Sequence, residues 1–366
     1  MKIGINLIQY TDIQGIEVFT KNLLSSLIHQ NSDNEYIFFV NQKSNNIFNI
    51  KSNNVKIIIK NFKKLSKLNL IFYQQFGLIK DLKKNKIDIL YCPSTAAPIF
   101  YKNKIITIYD CISLRFKNET NFFSNAYLKL IFLSAKYFSI KIITISNFTK
   151  QEIVNLLKIP PQKIVNISVG IPSLPNIDNK ILKTTLDKFN LSNKKYFFYI
   201  GNLRPHKNIK LLLKAWNNFF LEYQDYFLII AGKKNNQLIK NILKYLNPKN
   251  HILFLGIISE EEKVILYQNS IALIFPSLYE GFGLPILEAQ SLDVPVITSN
   301  ISSLPEAAGL GAIFVDPYDY KSISSGLKKI IDSPFLKNKL IQDGRKNLER
   351  FSWNKSSLLL LNSFKQ

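Results

Sequence analysis

"IALIFPSLYEGFGLPILEAQ", residues 271–290, runs from five consecutive apolar residues through a Gly-Phe-Gly-Leu-Pro turn into a helical pattern. The apolar run reads as a buried strand, and Pro285 suits the first turn of the helix that follows. Gly281 and Gly283 remove side chains, so a ligand can approach the backbone there. The Gly283 and Leu284 amides, just before Pro285, are placed to meet phosphate or sugar oxygens. Glu280 sits on the hinge and Glu288 falls a turn inside the helix. Packing does not need a carboxylate at each end of a glycine hinge, whereas vicinal hydroxyls donate readily to such groups. Taken singly, Glu280 reads equally well as a cap and Glu288 as a surface acid.

The strand–turn–helix pattern recurs on both sides of this stretch. Strands are expected at 2–8, 36–40, 55–59, 87–91, 105–109, 142–145 and 164–167, with helices at 14–29, 65–84, 122–138 and 147–157. A break follows at "GIPSLPNIDN", residues 170–179, where one glycine and two prolines interrupt a weakly apolar stretch. Strands then resume at 196–200, 227–230, 252–255, 271–275, 294–298 and 312–315. All-apolar strands alternating with helices indicate parallel sheets covered on both faces. The expected class is α/β, with two doubly wound domains joined near residue 175. In such sheets ligands bind beyond the carboxyl ends of the strands.

Apolar residues make up 46% of the 366, which supports two cores and argues against disorder. No uninterrupted apolar run reaches the length of a membrane-spanning helix. "MKIGINLIQY" lacks the apolar stretch and cleavage site of a signal peptide, so a cytoplasmic chain is expected. Cys92 and Cys111 belong to no CxxC or Cys/His array and read as buried small hydrophobes, with no structural zinc expected. The formal net charge is +23, and residues 1–172 carry 23 Lys and Arg against 9 Asp and Glu. That surface attracts polyanions, whether nucleic acid, anionic lipid or phosphorylated substrates. A lysine-rich composition throughout the chain accounts for the charge as well.

Three other strand-end loops carry candidate chemistry. In "GNLRPHKNIKLLLKAW", Arg204 and Lys207 stand in a short loop before a helix, with Asn208 as the expected cap. Two cations beside the free amides of a helix start suit a diphosphate. In "QYTDIQGIEVFTKNLL", Gly15 precedes a helix and leaves its amides open to an anion, though a plain turn explains it equally. In "ITIYDCISLRF", Tyr109 and Asp110 close a strand, and Asp110 is placed to orient or deprotonate an acceptor hydroxyl. No G-x-G-x-x-G, P-loop or H-E-x-x-H occurs, which removes the dehydrogenase, P-loop and zincin readings.

Together these loops resemble the retaining GT-B glycosyltransferases of family 4, mannosyltransferase-like members among them. "EGFGLPILE" has the family's E-x7-E form from Glu280 to Glu288, and "YIGNLRPHKNIKLLLKAW" is similar to its donor-phosphate loop. "GIISEEEKVILYQNSIALIFPS" and "PVITSNISSLPEAAGLGAIFVDP" extend the likeness over nearly the whole chain. The resemblance implies a GT-B fold, two Rossmann-like doubly wound domains facing across a cleft: 1–172 for the acceptor and 173–350 for the nucleotide sugar. Residues 351–366 are similar to the terminal helix that crosses back to the first domain. It implies Glu288 on the nucleotide ribose, Glu280 with Gly281, Phe282, Gly283 and Leu284 on the donor sugar, and Arg204 and Lys207 on the diphosphate. No metal and no cofactor beyond the donor substrate are implied, and Asp110 and Glu280 stand as the catalytic candidates. Two positions depart from the pattern. Asn202 follows the loop glycine where many members have arginine, and Tyr109 stands where many have histidine.

The expected reaction is transfer of a hexose, mannose first, from a GDP- or UDP-sugar to a lipid-linked or cell-surface polysaccharide or lipopolysaccharide. The basic first domain, with "NFKKLSKLNLIFYQQFGLIKDLKKNK" mixing lysines and large apolar residues, is expected to lie on anionic lipid at the inner face of the membrane. A nucleotide-sugar epimerase of the same fold is one alternative, disfavoured by the E-x7-E beside this phosphate loop. The other is a non-catalytic polyanion-binding protein, whose affinity would fall steeply with salt. Nucleic acid is not an expected partner of the enzyme.

Overall fold

The computed structural model describes residues 1–11, 15–31, 33–62, 65–116, 119, 122–233 and 250–365. The chain divides into two compact units, Met1–Gly170 with Phe351–Gln366, and Ile171–Arg350.

The first unit carries seven strands: β1 (Lys2–Asn6), β2 (Glu35–Asn41), β3 (Val55–Lys60), β4 (Ile89–Cys92), β5 (Lys104–Thr107), β6 (Ser139–Thr144) and β7 (Ile164–Asn166). They form one sheet in the order β3-β2-β1-β4-β5-β6-β7, and every pairing is parallel. The second unit carries β8 (Lys195–Ile200), β9 (Tyr226–Ala231), β10 (Ile252–Gly256), β11 (Leu273–Phe275), β12 (Val296–Ser299) and β13 (Ala312–Val315). Their order is β10-β9-β8-β11-β12-β13, again parallel throughout.

Strand β8 shows why its residues make a central strand. Tyr196, Phe197, Phe198 and Tyr199 are all fully buried, and successive side chains of a strand point to opposite faces. Phe197 meets Trp216 and Phe219 of the Ile209–Phe220 helix edge-on, at 6.0 and 5.6 Å. Phe198 meets Tyr267 of the Glu260–Gln268 helix at 5.1 Å. Helices therefore cover both faces, as the unbroken apolar strand pattern requires.

In the first unit the terminal helix Trp353–Phe364 packs on the Gly15–Gln30 helix. Phe19 meets Trp353 at 5.5 Å, and Ser26 Oγ hydrogen-bonds Asn354 Oδ1 and Ser357 Oγ. The Trp353 ring lies so close over Gly170 that a Cβ there would stand 2.4 Å from it. Glycine opens the 170–179 break because the indole occupies that space.

Two expectations are corrected. Strand β5 ends at Thr107, so Asp110 lies in the loop beyond it rather than closing the strand. The Asp110 carboxylate accepts from Ile112 N–H at 2.9 Å and turns the chain into the short helix Ile112–Arg115. The helix expected over 65–84 is divided into Lys67–Phe72, a π-helical turn Tyr73–Gly77, and Leu78–Lys84. No helix among the described residues is long and apolar enough to cross a membrane.

Candidate functional site

The second sheet reverses its order between β8 and β11, the switch point where loops diverge and leave a crevice at the strands' carboxyl ends. The loops that leave these two strands hold Arg204 and Lys207 on one side and residues 276–283 on the other. They are stitched together. Leu278 N–H donates to His206 C=O at 2.8 Å, and the Asn208 amide donates to Pro276 C=O at 3.1 Å and Pro317 C=O at 2.7 Å. Asn208 sits at the start of the Ile209–Phe220 helix in the left-handed region, φ 60°, and its side chain caps nothing. The expected cap is thus a tie between three loops, because the amide finds carbonyls of the loops after β11 and β13.

Lys207 Nζ reaches Glu280 Oε1 at 2.5 Å and stands 5.2 Å from the Phe275 ring centre. Both side chains are largely enclosed, 16% and 12% exposed. The hinge around Glu280 is fixed by two serines. Ser302 Oγ lies 2.9 Å from Glu280 N–H and 3.0 Å from Glu280 C=O. Ser303 Oγ lies 2.9 Å from the carbonyls of both Glu280 and Phe282. Gly283 adopts φ +114° as the chain enters the Leu284–Ser291 helix, a conformation that only glycine takes without strain. Arg204 is exposed, Phe282 buried and Gly281 half-buried. Beneath this loop pair the Tyr199 hydroxyl and Ser277 Oγ are buried with no partner among the described residues.

Glu288, one turn into its helix, is held at both oxygens. Oε1 receives Lys263 Nζ at 2.8 Å and Oε2 receives the Tyr267 hydroxyl at 3.1 Å. Lys263 also meets Glu260 at 2.7 Å, one turn back on its own helix. Burial alone would lower the Lys263 pKa, but the Glu288 and Glu260 carboxylates outweigh it and the net shift is upward. Burial, reinforced by Glu288, keeps the Tyr267 hydroxyl protonated far beyond its ordinary range.

The remaining candidates belong to the first unit. Gly15 opens the Gly15–Gln30 helix and is exposed, while residues 12–14 before it lie outside the described residues. Tyr109, expected to close the strand beside Asp110, lies beyond its end at Thr107 and is buried. Its hydroxyl donates to Pro93 C=O at 2.8 Å and lies 3.2 Å from Thr20 Oγ1. Phe19 packs edge-on against its ring at 5.5 Å. Burial raises its pKa well above the ordinary value. That side chain serves the core.

The sequence reading named Glu280, Glu288 and Lys207 but missed Lys263, Tyr267, Ser302 and Ser303. Lys263 and Tyr267 lie inside "GIISEEEKVILYQNS", where a lysine among apolar helix positions was the available signal. Residues 183–347 match the family described as glycosyl transferases group 1. The group 1 segment contains the switch point, both ion-paired glutamates and the serines that brace the hinge.

The chain is 32% identical over 229 residues to the O-antigen chain mannosyltransferase B of Escherichia coli, covering 61% of this chain and 60% of that protein. It is 26% identical over 281 residues to the O-antigen chain mannosyltransferase RfbU of Salmonella typhimurium, covering 76% and 75%. Among solved structures it is similar to WaaG, a glycosyltransferase involved in lipopolysaccharide biosynthesis, with a TM-score of 0.72 at 13% identity over 99% of this chain and 98% of that one. The likeness to WaaG shows the GT-B fold.

Proposed function

We propose that the protein is a retaining glycosyltransferase that moves a hexose, mannose first, from a GDP- or UDP-sugar to a lipid-linked or cell-surface polysaccharide acceptor. The observation that carries this reading is the Lys207–Glu280 pair, held at the switch point beside a glycine hinge. Two similar proteins named as O-antigen chain mannosyltransferases support the choice of sugar and acceptor class.

In this reading Lys207 and Arg204 bind the donor diphosphate, and Glu288 takes the ribose hydroxyls. Glu280 with the amides of Gly281, Phe282, Gly283 and Leu284 takes the sugar. An anion meets the amides at Gly15, and Asp110 orients the acceptor hydroxyl. During transfer the bond between the anomeric carbon and the diphosphate oxygen breaks, and its electron pair stays with the diphosphate. The acceptor oxygen bonds the same face of that carbon, and its proton passes to the departing phosphate. Fixed cations stabilise the charge that grows there, so no metal is needed in this scheme. Lys207 is already held by Glu280, which lowers the reorganisation required as that charge develops.

The same reading sets the first unit against anionic lipid. Leu68, Phe72 and Phe76 follow one another at four-residue spacing and are 78%, 68% and 59% exposed. Phe123 of the neighbouring helix is 83% exposed, and Lys67 Nζ ties the two helices through Ser124 Oγ at 3.0 Å. Large apolar side chains within a lysine-rich segment suit a bilayer interface.

Thermal melting in the presence of GDP, UDP, GDP-mannose and UDP-glucose tests the donor site. A nucleotide at a hundred times its Kd stabilises the folded chain by about 2.7 kcal/mol, a shift of several degrees. One nucleotide family is expected to raise Tm; no shift with any of the four would remove the donor-site reading.

A further inference from the structure

Glu288 is an unusual carboxylate for a helix that packs against a sheet. Its side chain is 13% exposed, yet each oxygen already has a donor, from Lys263 and from Tyr267. Both donors come from the Glu260–Gln268 helix, on which Val264, Ile265 and Leu266 are buried. Lys263 is itself only 12% exposed, so its stem runs along apolar surface and its ammonium ends between Glu288 and Glu260. An enclosed ion pair is no cheaper for folding than two apolar side chains of the same volume. Packing therefore does not ask for a lysine here.

The chemistry of the carboxylate does. An ionised carboxylate has about four acceptor positions, and one on each oxygen is taken. One more on each oxygen is left. Two donors on adjacent atoms, such as a vicinal diol, match that pair. For the match to hold, the carboxylate plane must be fixed. The Lys263 ammonium on one oxygen and the Tyr267 hydroxyl on the other fix it. The first turns of the two helices involved follow β10 and β11, so this pair lies at the carboxyl edge of the sheet.

We propose that Lys263 is a positioning residue for the nucleotide, holding the Glu288 carboxylate oriented so that it accepts both ribose hydroxyls of the donor. The inference rests on the donor-site reading, and it adds a residue outside both the E-x7-E stretch and the phosphate loop. Tyr267 is the second support, acting on the other oxygen. Neither touches the reacting sugar. Their removal therefore weakens donor binding more than it slows turnover of bound donor.

The test compares the preferred nucleoside diphosphate, GDP or UDP, with its 2′,3′-dideoxy analogue by titration calorimetry on the full chain. Hydrogen bonds to a charged group make the wild type favour the ribonucleotide roughly tenfold to hundredfold. Lys263→Met, similar in length and apolar, is expected to shrink that preference to about threefold or less, with donor KM rising more than kcat falls. Lys263→Arg is expected to restore most of the preference. Tyr267→Phe removes a single hydroxyl from the same carboxylate, and an intermediate preference is expected. It also serves should Lys263→Met fold poorly. Retention of the wild-type preference in Lys263→Met or in Tyr267→Phe overturns the inference while leaving the donor site standing. A wild type that binds the ribo and dideoxy forms equally overturns it through Glu288. Binding of neither form overturns the donor-site reading itself, and the inference with it.

Discussion

Lys207 and Glu280 keep opposite charges 2.5 Å apart in a place where each is less than one-fifth exposed. Lys207→Met strands the carboxylate, and the expected cost is about 3 kcal/mol of folding stability. Adding Glu280→Gln removes the stranded charge, so the double variant regains most of that stability in urea unfolding. Under the proposed donor-site reading, sugar transfer stays lost in both, because Lys207 is the cation assigned to the diphosphate; transfer regained by the double variant would take both residues out of donor chemistry. At this scale the sequence was legible where the candidate residues share one local spacing. Glu280 and Glu288 are eight positions apart on one turn and helix. Lys263 and Ser302 were not legible, since they meet these glutamates from 25 and 22 residues away on other elements. Asn208 misled because cap residues are recognised by type, whereas its left-handed backbone turns the amide towards two loop carbonyls.

Among the elements, β5 and the Phe122–Phe138 helix are joined by a buried lysine that sequence reading passed over. Lys104 is fully buried, and its ammonium donates to Pro98 C=O, Ile99 C=O and Ser134 Oγ at 2.5, 2.8 and 2.7 Å. Burial is the main cause that brings its pKa down to about 8, with Cys92 opposing and Lys163 adding to the shift. The folded pKa lies below the unfolded one, so the cost of burying the charge is fully present below pH 8. Above that, the folded chain sheds the proton first, and stability rises with pH up to the unfolded pKa. Urea unfolding of the wild type relative to Lys104→Met should show a gain approaching about 1.4 kcal/mol per pH unit between pH 8 and 10. A flat difference over that range would mean that Lys104 does not titrate there. Strand positions themselves were legible as apolar runs. The early end of β5 and the π turn at Tyr73–Gly77 were not: Asp110 turns the chain beyond β5 through its own side chain, and Gln75 of the π turn bonds Ala97 C=O and Ile99 N–H more than twenty residues away.

At the scale of the whole molecule, charge and exposed apolar surface coincide on the first unit. Vesicle sedimentation checks the lipid contact. The wild type should pellet with vesicles containing anionic phosphatidylserine or phosphatidylglycerol, less so with zwitterionic ones. Replacing Leu68, Phe72 and Phe76 together by serine should cut the bound fraction several-fold with a far smaller effect on Tm, since more than half of each side chain is already in water. Unchanged binding by the triple variant would reduce the contact to lysine electrostatics, and no binding at any salt would remove it.

The sequence by itself determined the α/β class, the glycine and prolines that interrupt residues 170–179, and the spacing of Glu280 and Glu288. Each of these is written in short-range periodicity, in glycine and proline, or in one local spacing. Only the tertiary structure decided the strand order, hence the switch point between β8 and β11. It also decided which cation each glutamate keeps and that Tyr109 faces inward. Those choices depend on which buried polar groups find partners across distant elements, and pairing of that kind leaves no period in the chain.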